Sequence, residues 1–326
     1  MSDFSHTPVM PEEVIAGLAI KPDGTYIDGT AGGGGHSSLI ASRLSEKGRL
    51  VAIDRDPEAV AAAGERLRRF GPRAVCVRGN FADMKEICAS LGITEADGFL
   101  LDLGVSSYQL DNPERGFSYM HDAPLSMKME GVSGDGPDAR DIVNGYGVSE
   151  LRRILSDWGE EKYAARIAEA ICRARETKPV ETTFELRDII TGALPDGGRS
   201  QKHHPAMRTF QAIRIEVNGE IALIPGALRG AVDLLRPGGR GCVITFHSVE
   251  DRAVKETFAS LSSGCVCPRD FPVCVCGRRP VIKLVGRKPV LPSPEEIRTN
   301  SRSHSAKLRT VEKLDGTASL TPGVSP

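Results

Sequence analysis

Residues 26–37 read YIDGTAGGGGHS, and no other stretch limits the fold so tightly. A short apolar segment ends on an acid, Asp28. Four glycines, Gly32 to Gly35, follow, and then the start of a helix. Glycine lets the backbone turn sharply there and leaves no Cβ between main chain and ligand. Strand, acid, glycines and helix in that order form the floor of a nucleotide-type pocket in an open α/β sheet. The acid selects among nucleotides. A pyrophosphate seeks bare N–H groups at a helix start, and a carboxylate beside it repels it. A ligand carrying a sulfonium and an ammonium, such as S-adenosylmethionine, is attracted by the same carboxylate.

The rest of the chain agrees with such a sheet. Strands are expected at 25–29, 49–54, 74–78 and 98–103, with helices at 36–45, 57–70 and 83–91 between them. Apolar strands separated by helices indicate a parallel sheet covered on both faces. The rhythm then breaks. A Gly-, Pro- and Asp-rich stretch at 111–138 leads into helical segments, in which Leu151, Ile154, Leu155 and Trp158 share one face and Tyr163, Ile167 and Ile171 another. The alternation returns with helices at 207–217 and 221–235, a turn at ProGlyGly 237–239, a fifth strand at 241–246 and a helix at 248–261. We therefore expect a discontinuous α/β domain, 1–104 and 206–315, interrupted by a helical insertion, 105–205, and followed by a disordered tail, 316–326. The insertion leaves from the carboxyl end of a strand, where ligands sit, so it is expected to cover the pocket or grip a substrate.

The ends of the expected strands carry the chemistry. Asp28 and Gly34 end the first. Asp54 ends the second, about 20 residues beyond the glycines, the interval at which ribose-binding acids stand. Phe81 follows the third and is suited to pack on an adenine ring. Asp102 ends the fourth. Each acid alone has a structural reading as a cap or a loop residue; the ordered series is what points to a cofactor pocket. The segment after Asp102 lies where a transferase holds its acceptor. Asp102 is a candidate for accepting the N–H bonds of an exocyclic base amine or for binding the cofactor, and Ser106, Ser107 and Gln109 for orienting ligand or base. His247, after the fifth strand, either relays a proton or is a satisfied structural residue. Arg208, Gln211 and Arg214 lie near one helical face and either bind RNA phosphate or tie the insertion to the core.

Composition narrows the class. With 42 basic and 43 acidic residues the net charge is −1, so no global basic field exists. From Arg269 to Lys313 the balance is locally basic, which suits phosphate contacts or a solvated tail. Aromatics are 5% of the chain, too few for a multi-base stacking platform. No apolar run reaches the roughly 18 residues of a membrane span, and the N-terminus lacks signal-peptide features. A cytoplasmic location is expected, with the 8 cysteines as thiols or metal ligands. Four of them, Cys265, Cys267, Cys274 and Cys276, form a C-x-C…C-x-C pair, readable as a zinc site or as a hairpin whose thiols pack as small apolar groups.

The motifs HTPVM (6–10), YIDGTAGGGGHS (26–37), IDRDP (53–57), LLDLGVSSYQLD (100–111), ERGFSY (114–119), RTFQAIRIEVN (208–218) and FHSVEDR (246–252) together resemble the RsmH (MraW) family of ribosomal RNA small-subunit methyltransferases H. The resemblance covers nearly the whole chain. It implies a class I S-adenosylmethionine-dependent methyltransferase, Rossmann-like with an inserted helical domain, that methylates the N4 amine of a cytidine in the decoding region of 16S rRNA in the small ribosomal subunit. Carried over motif by motif, it assigns cofactor binding to Gly34, Gly35, His36, Asp54, Phe81, Asp102 and Gln109. It departs from the family's NPRSRS at 300–305, where this chain has NSRSHS. A ribosome-assembly factor that binds the cofactor and RNA without turnover, and a nicotinamide dehydrogenase, are the competing readings. A homodimer is left open.

Overall fold

The computed structural model describes residues 8–131, 134, 136–199, 203–264, 267, 271, 273 and 275–315. The tail at 316–326, and Cys265 and Cys274, lie outside the described residues. The chain divides into two compact units, 1–104 with 223–326, and 105–222.

The first unit holds a seven-stranded sheet in the order β3-β2-β1-β4-β5-β7-β6. Its elements are α1 (Pro11–Leu18), β1 (Thr25–Asp28), α2 (Gly35–Ala41), β2 (Arg49–Asp54), α3 (Pro57–Leu67), β3 (Ala74–Arg78), α4 (Met84–Ser90) and β4 (Ala96–Asp102). The second unit contributes α5 (Ser107–Asp111), α6 (Ala139–Gly145), α7 (Val148–Asp157), α8 (Ala164–Arg175), α9 (Thr183–Ala193) and α10 (Met207–Asn218); the division falls within α11 (Glu220–Leu234). Then come β5 (Leu235–Thr245), α12 (Ser248–Ser262), β6 (Ile282–Leu284), α13 (Pro294–Thr299) and β7 (Lys307–Lys313).

Strands β1 to β5 run parallel. Helices lie against them, so Leu50, Val51, Ala52 and Ile53 of β2 are all buried. Two glycines let rings lie flat in this sheet. A Cβ on Gly241 would stand 2.2 Å from Cζ of Phe99, and one on Gly98 would stand 2.8 Å from the Tyr26 ring. The order reverses between β1 and β4, which pair directly as Asp28↔Leu100. That reversal is the switch point at which open α/β sheets bind ligands. In β5, five residues advance from Leu235 to Arg240 against two on β4, so the expected ProGlyGly turn is a bulge inside the strand.

Two strands depart from the sequence expectation. β7 runs antiparallel to β5, and β6 antiparallel to β7. The basic end of the chain is therefore in part a strand, with its cations used internally. Asp251 takes Arg309 at 2.7 and 3.1 Å and Lys307 at 3.3 Å. Glu312 takes Lys283 at 2.6 Å and Arg240 at 3.1 Å. Lys313 is buried and donates to the Val232 carbonyl. These groups are spent on the fold, so part of this stretch is structural, while Arg278, Arg279, Arg287, Lys288 and Arg298 of the same stretch are exposed.

The helical unit has its own core, with Leu151, Ile154, Leu155, Ile167 and Ile171 buried as their spacing requires. α10 packs on α6 and α7 and so lies in this unit, whereas the expected boundary returned it to the sheet at 206. Its polar face ties the unit together. Arg208 donates to the Glu160 carbonyl at 2.5 Å, Gln211 to the Trp158 carbonyl at 3.0 Å, and Arg214 makes two bonds to Glu220 at 2.9 and 3.0 Å. Among the described residues no helix is long and apolar enough to cross a membrane.

Candidate functional site

The carboxyl ends of β1, β2 and β4 each deliver one carboxylate, and the glycine turn lies among them. Asp28 is fully buried. Its Oδ2 accepts from Ser37 Oγ at 2.6 Å and its Oδ1 from the Thr30 amide at 3.2 Å. Burial lifts its carboxyl to about 6 against the opposing pull of those bonds. With both oxygens engaged, Asp28 fixes the turn from beneath and gives the site part of its negative field. Asp54 receives the Gly32 amide at 2.7 Å and the Asp56 amide at 2.9 Å, and burial likewise raises it to about 6. Thr30 joins the first acid to the third, because its Oγ1 accepts from the Asp102 amide at 2.6 Å.

Asp102 is the exception. Its Oδ1 is sealed from solvent and has no hydrogen-bond partner among the described residues. Burial, then the charges of Asp28 and Glu250, push its carboxyl up to about 8. His36 is buried beside it, with Nε2 at 3.7 Å from Oδ2. Burial lowers this imidazole to about 4. The Val9 backbone opposes that shift, but among the described residues no hydrogen bond of good geometry reaches either ring nitrogen. At neutral pH the pair is thus a neutral imidazole facing a protonated carboxyl, not a salt bridge.

The glycines do what the sequence required of them. Gly32 (φ 50°) and Gly34 (φ 76°) are left-handed. A Cβ on Gly34 would press to 3.0 Å from the Ala63 backbone, while one on Gly32 would enter open space. A Cβ on Gly29 would strike Leu101 at 2.5 Å and reach Phe81 at 3.2 Å, so Phe81 stands beside the turn. Gly35 and His36 open α2.

This donor set fits S-adenosylmethionine. The Asp102 carboxyl has an oxygen without a hydrogen-bond partner among the described residues and ionises when a cation enters; with two further raised carboxyls nearby, the set favours a cation and repels a diphosphate. Asp54, the turn with Gly34, Gly35 and His36, Phe81 and Asp102 are the groups that would hold it.

The remaining candidates have other work. Ser106 Oγ accepts from the Gln109 amide at 3.2 Å, and Gln109 Oε1 accepts from the Ser106 amide at 3.0 Å. Together they cap α5, whose first residue is Ser107, in the helical unit. His247 caps α12. Its Nδ1 accepts from the Glu250 amide at 3.3 Å and its Nε2 stands 2.9 Å from Glu250 Oε1, so both ring nitrogens are engaged. Sequence reasoning missed Glu250; the four-residue span from the cap at 247 to an acid at 250 was its signal. Cys267 and Cys276 are described without Cys265 and Cys274, and among the described residues no group of side chains could hold a metal ion.

A sequence model of the MraW methylase family matches residues 3–314. The chain belongs to the MraW methylase family. Family membership makes it an S-adenosylmethionine-dependent methyltransferase, and the sheet it folds into is the class I, Rossmann-like one. Three of its relatives are named ribosomal RNA small subunit methyltransferase H, the first of them H 2. That of Agathobacter rectalis is 52% identical over 96% of this chain and 99% of its own length. That of Geobacter sp. strain M21 is 51% identical over 96% and 100%. That of Symbiobacterium thermophilum is 50% identical over 95% and 97%.

Proposed function

We propose that this methyltransferase modifies the N4 amine of a cytidine in the decoding region of 16S rRNA, acting in the cytoplasm on the small ribosomal subunit, with the helical insertion recognising the RNA. The observation that carries the reading is the unpartnered Asp102 oxygen at the switch point of the sheet. Half-identity to relatives named for small-subunit ribosomal RNA, over nearly the whole chain, supports the substrate class.

S-adenosylmethionine supplies a methyl group already activated on a sulfonium, so the chain has to bind, orient and handle a proton. In this reading Asp54 accepts the ribose hydroxyls and Phe81 packs on the adenine. Asp28 holds the glycine turn through Ser37 and Thr30. The lone pair of an exocyclic amine is delocalised into its ring; Asp102, accepting an N–H bond from that amine, draws electron density back to nitrogen and balances the positive charge that develops there. A base within folded RNA leaves its stack to reach such a recess.

Incubating the purified chain with methyl-labelled S-adenosylmethionine and small subunits that lack the mark is expected to label a single cytidine, located by nuclease digestion and mass spectrometry. Label in adenine, or in protein alone, overturns the substrate assignment.

A further inference from the structure

We propose that Glu250, clamped by His247, is a positioning residue of the methyl-donor site: it fixes a second negative charge behind Asp102, so that a cationic donor binds with loss of the Asp102 proton and the neutral-sulfur product is held less well. The inference rests on the donor reading above and extends it to a residue outside the strand-end acids.

Glu250 is 1% exposed, and burying a carboxylate is costly unless bonds compensate it. The bonds are there. Oε2 accepts from the Phe246 amide at 2.8 Å and the His247 amide at 3.3 Å, and Oε1 stands 2.9 Å from His247 Nε2. The backbone amides need one acceptor oxygen, which glutamine supplies as well; the second oxygen faces His247 Nε2, where glutamine would present an N–H instead. The backbone bonds do not themselves require a charge. The carboxylate faces the end of β4: a Cβ on Gly104, in the left-handed region at φ 96°, would stand 3.5 Å from Glu250 Oε1. Among the described residues, the groups acting on Asp102 are Asp28 from β1, His36 from α2 and Glu250, paired with His247, from α12. Of the basic side chains near the start of α12, Lys307 and Arg309 bond to Asp251, the residue after Glu250, and Arg252, exposed on the helix itself, has a partner too.

The consequence follows from charge. Without ligand, Asp102 lies between two carboxylates and keeps its proton, in line with its rise to about 8. When a cation enters, the carboxyl ionises and its proton passes to solvent. Transfer of the methyl group leaves the sulfur uncharged. The positive charge passes to the acceptor amine, whose nitrogen then sheds a proton; with that proton taken up by Asp102, the site has one positive charge fewer to balance and the neutral-sulfur product leaves more readily.

The test is calorimetry on the full chain at about pH 6.5, in two buffers of different ionisation enthalpy, titrating S-adenosylmethionine and S-adenosylhomocysteine separately. Wild type is expected to release protons on binding the donor, fewer on binding the product, and to release none from Asp102 above about pH 9. In Glu250→Gln, which keeps an acceptor for the backbone amides, the donor-linked release should fall, and the donor-over-product affinity ratio should narrow about tenfold, the equivalent of one unit in the Asp102 ionisation. A cap-only role predicts a lower melting temperature with the ratio and proton count unchanged. Equal proton release for both ligands in wild type, or an unaltered ratio in folded Glu250→Gln, overturns the inference. If Glu250→Gln does not fold, the wild-type count still tests the Asp102 step on which the inference depends, and equal release for both ligands overturns it. Failure of wild type to bind either ligand refutes the donor site itself, a different result.

Discussion

Asp102→Ala is expected to transfer methyl groups at least about 100-fold more slowly than wild type, the usual loss when a preorganised charge is removed from a water-poor site. The reasoning starts from the carboxyl's cost. Asp102 Oδ1 is buried with no hydrogen-bond partner among the described residues, and the charges of Asp28 and Glu250 act on the carboxyl. A group held in that condition destabilises the empty fold and is recovered only when something cationic arrives. Removing it should leave the chain folded and, above neutral pH, more stable. Single-turnover transfer to RNA at saturating donor, with the melting temperature recorded beside it, separates the two effects. A folded Asp102→Ala within about threefold of wild type would remove Asp102 from the chemistry.

The second large effect is on the helical unit. Arg214 and Glu220 are 14% and 9% exposed and make two hydrogen bonds. Removing one member of a nearly buried pair strands the other, so Arg214→Ala is expected to destabilise this unit by about 3 kcal/mol. The carbonyl of Arg214 also receives the Asn218 amide group, whose Oδ1 accepts from the Met129 amide, so the pair sits in a buried polar network. Replacing both partners, Arg214→Met with Glu220→Leu, should restore most of the loss because no charge is left unpaired. Hydrogen exchange of 105–222 measures it. If Arg214→Ala keeps full protection yet loses RNA affinity, the side chain is a phosphate contact and not a tie.

The sheet was largely legible in the sequence, for a physical reason. Parallel strands covered by helices read as short apolar runs, so the buried strand 49–54 and the half-buried edge strand 74–78 are found with the bounds the structure gives them. The antiparallel strand Lys307–Lys313 was not legible, because its charges hide it. Their neutralisation depends on Asp251 and Arg240, distant in the chain. α1 had a readable start, Pro11 at the first turn with Glu12 and Glu13 behind it, which went unused. In the site, strand-end position was enough to single out Asp28, Asp54 and Asp102. It could not show that Gln109 and His247, which look like ligand groups in their motifs, spend hydrogen bonds on helix caps. Nor could it show that a buried Glu250 stands behind Asp102, since that depends on how α12 leaves β5.

The claim at the centre is that buried strand-end carboxylates make a site for a cation. Its most direct test is the melting temperature of the chain between about pH 5 and pH 9, with and without S-adenosylmethionine. In the unfolded chain these acids ionise near 4; in the fold Asp28 and Asp54 are raised to about 6 and Asp102 to about 8. The native state therefore binds more protons than the unfolded one across that window. Its stability is fullest below about pH 4 and is lost as pH climbs through 6 and then 8. The ligand-free melting temperature should fall along that range, and the donor should raise it most at the alkaline end, where Asp102 is ionised. A ligand-free curve that is flat or rises from pH 5 to pH 9, or a donor that gives no stabilisation at the alkaline end, would contradict the account.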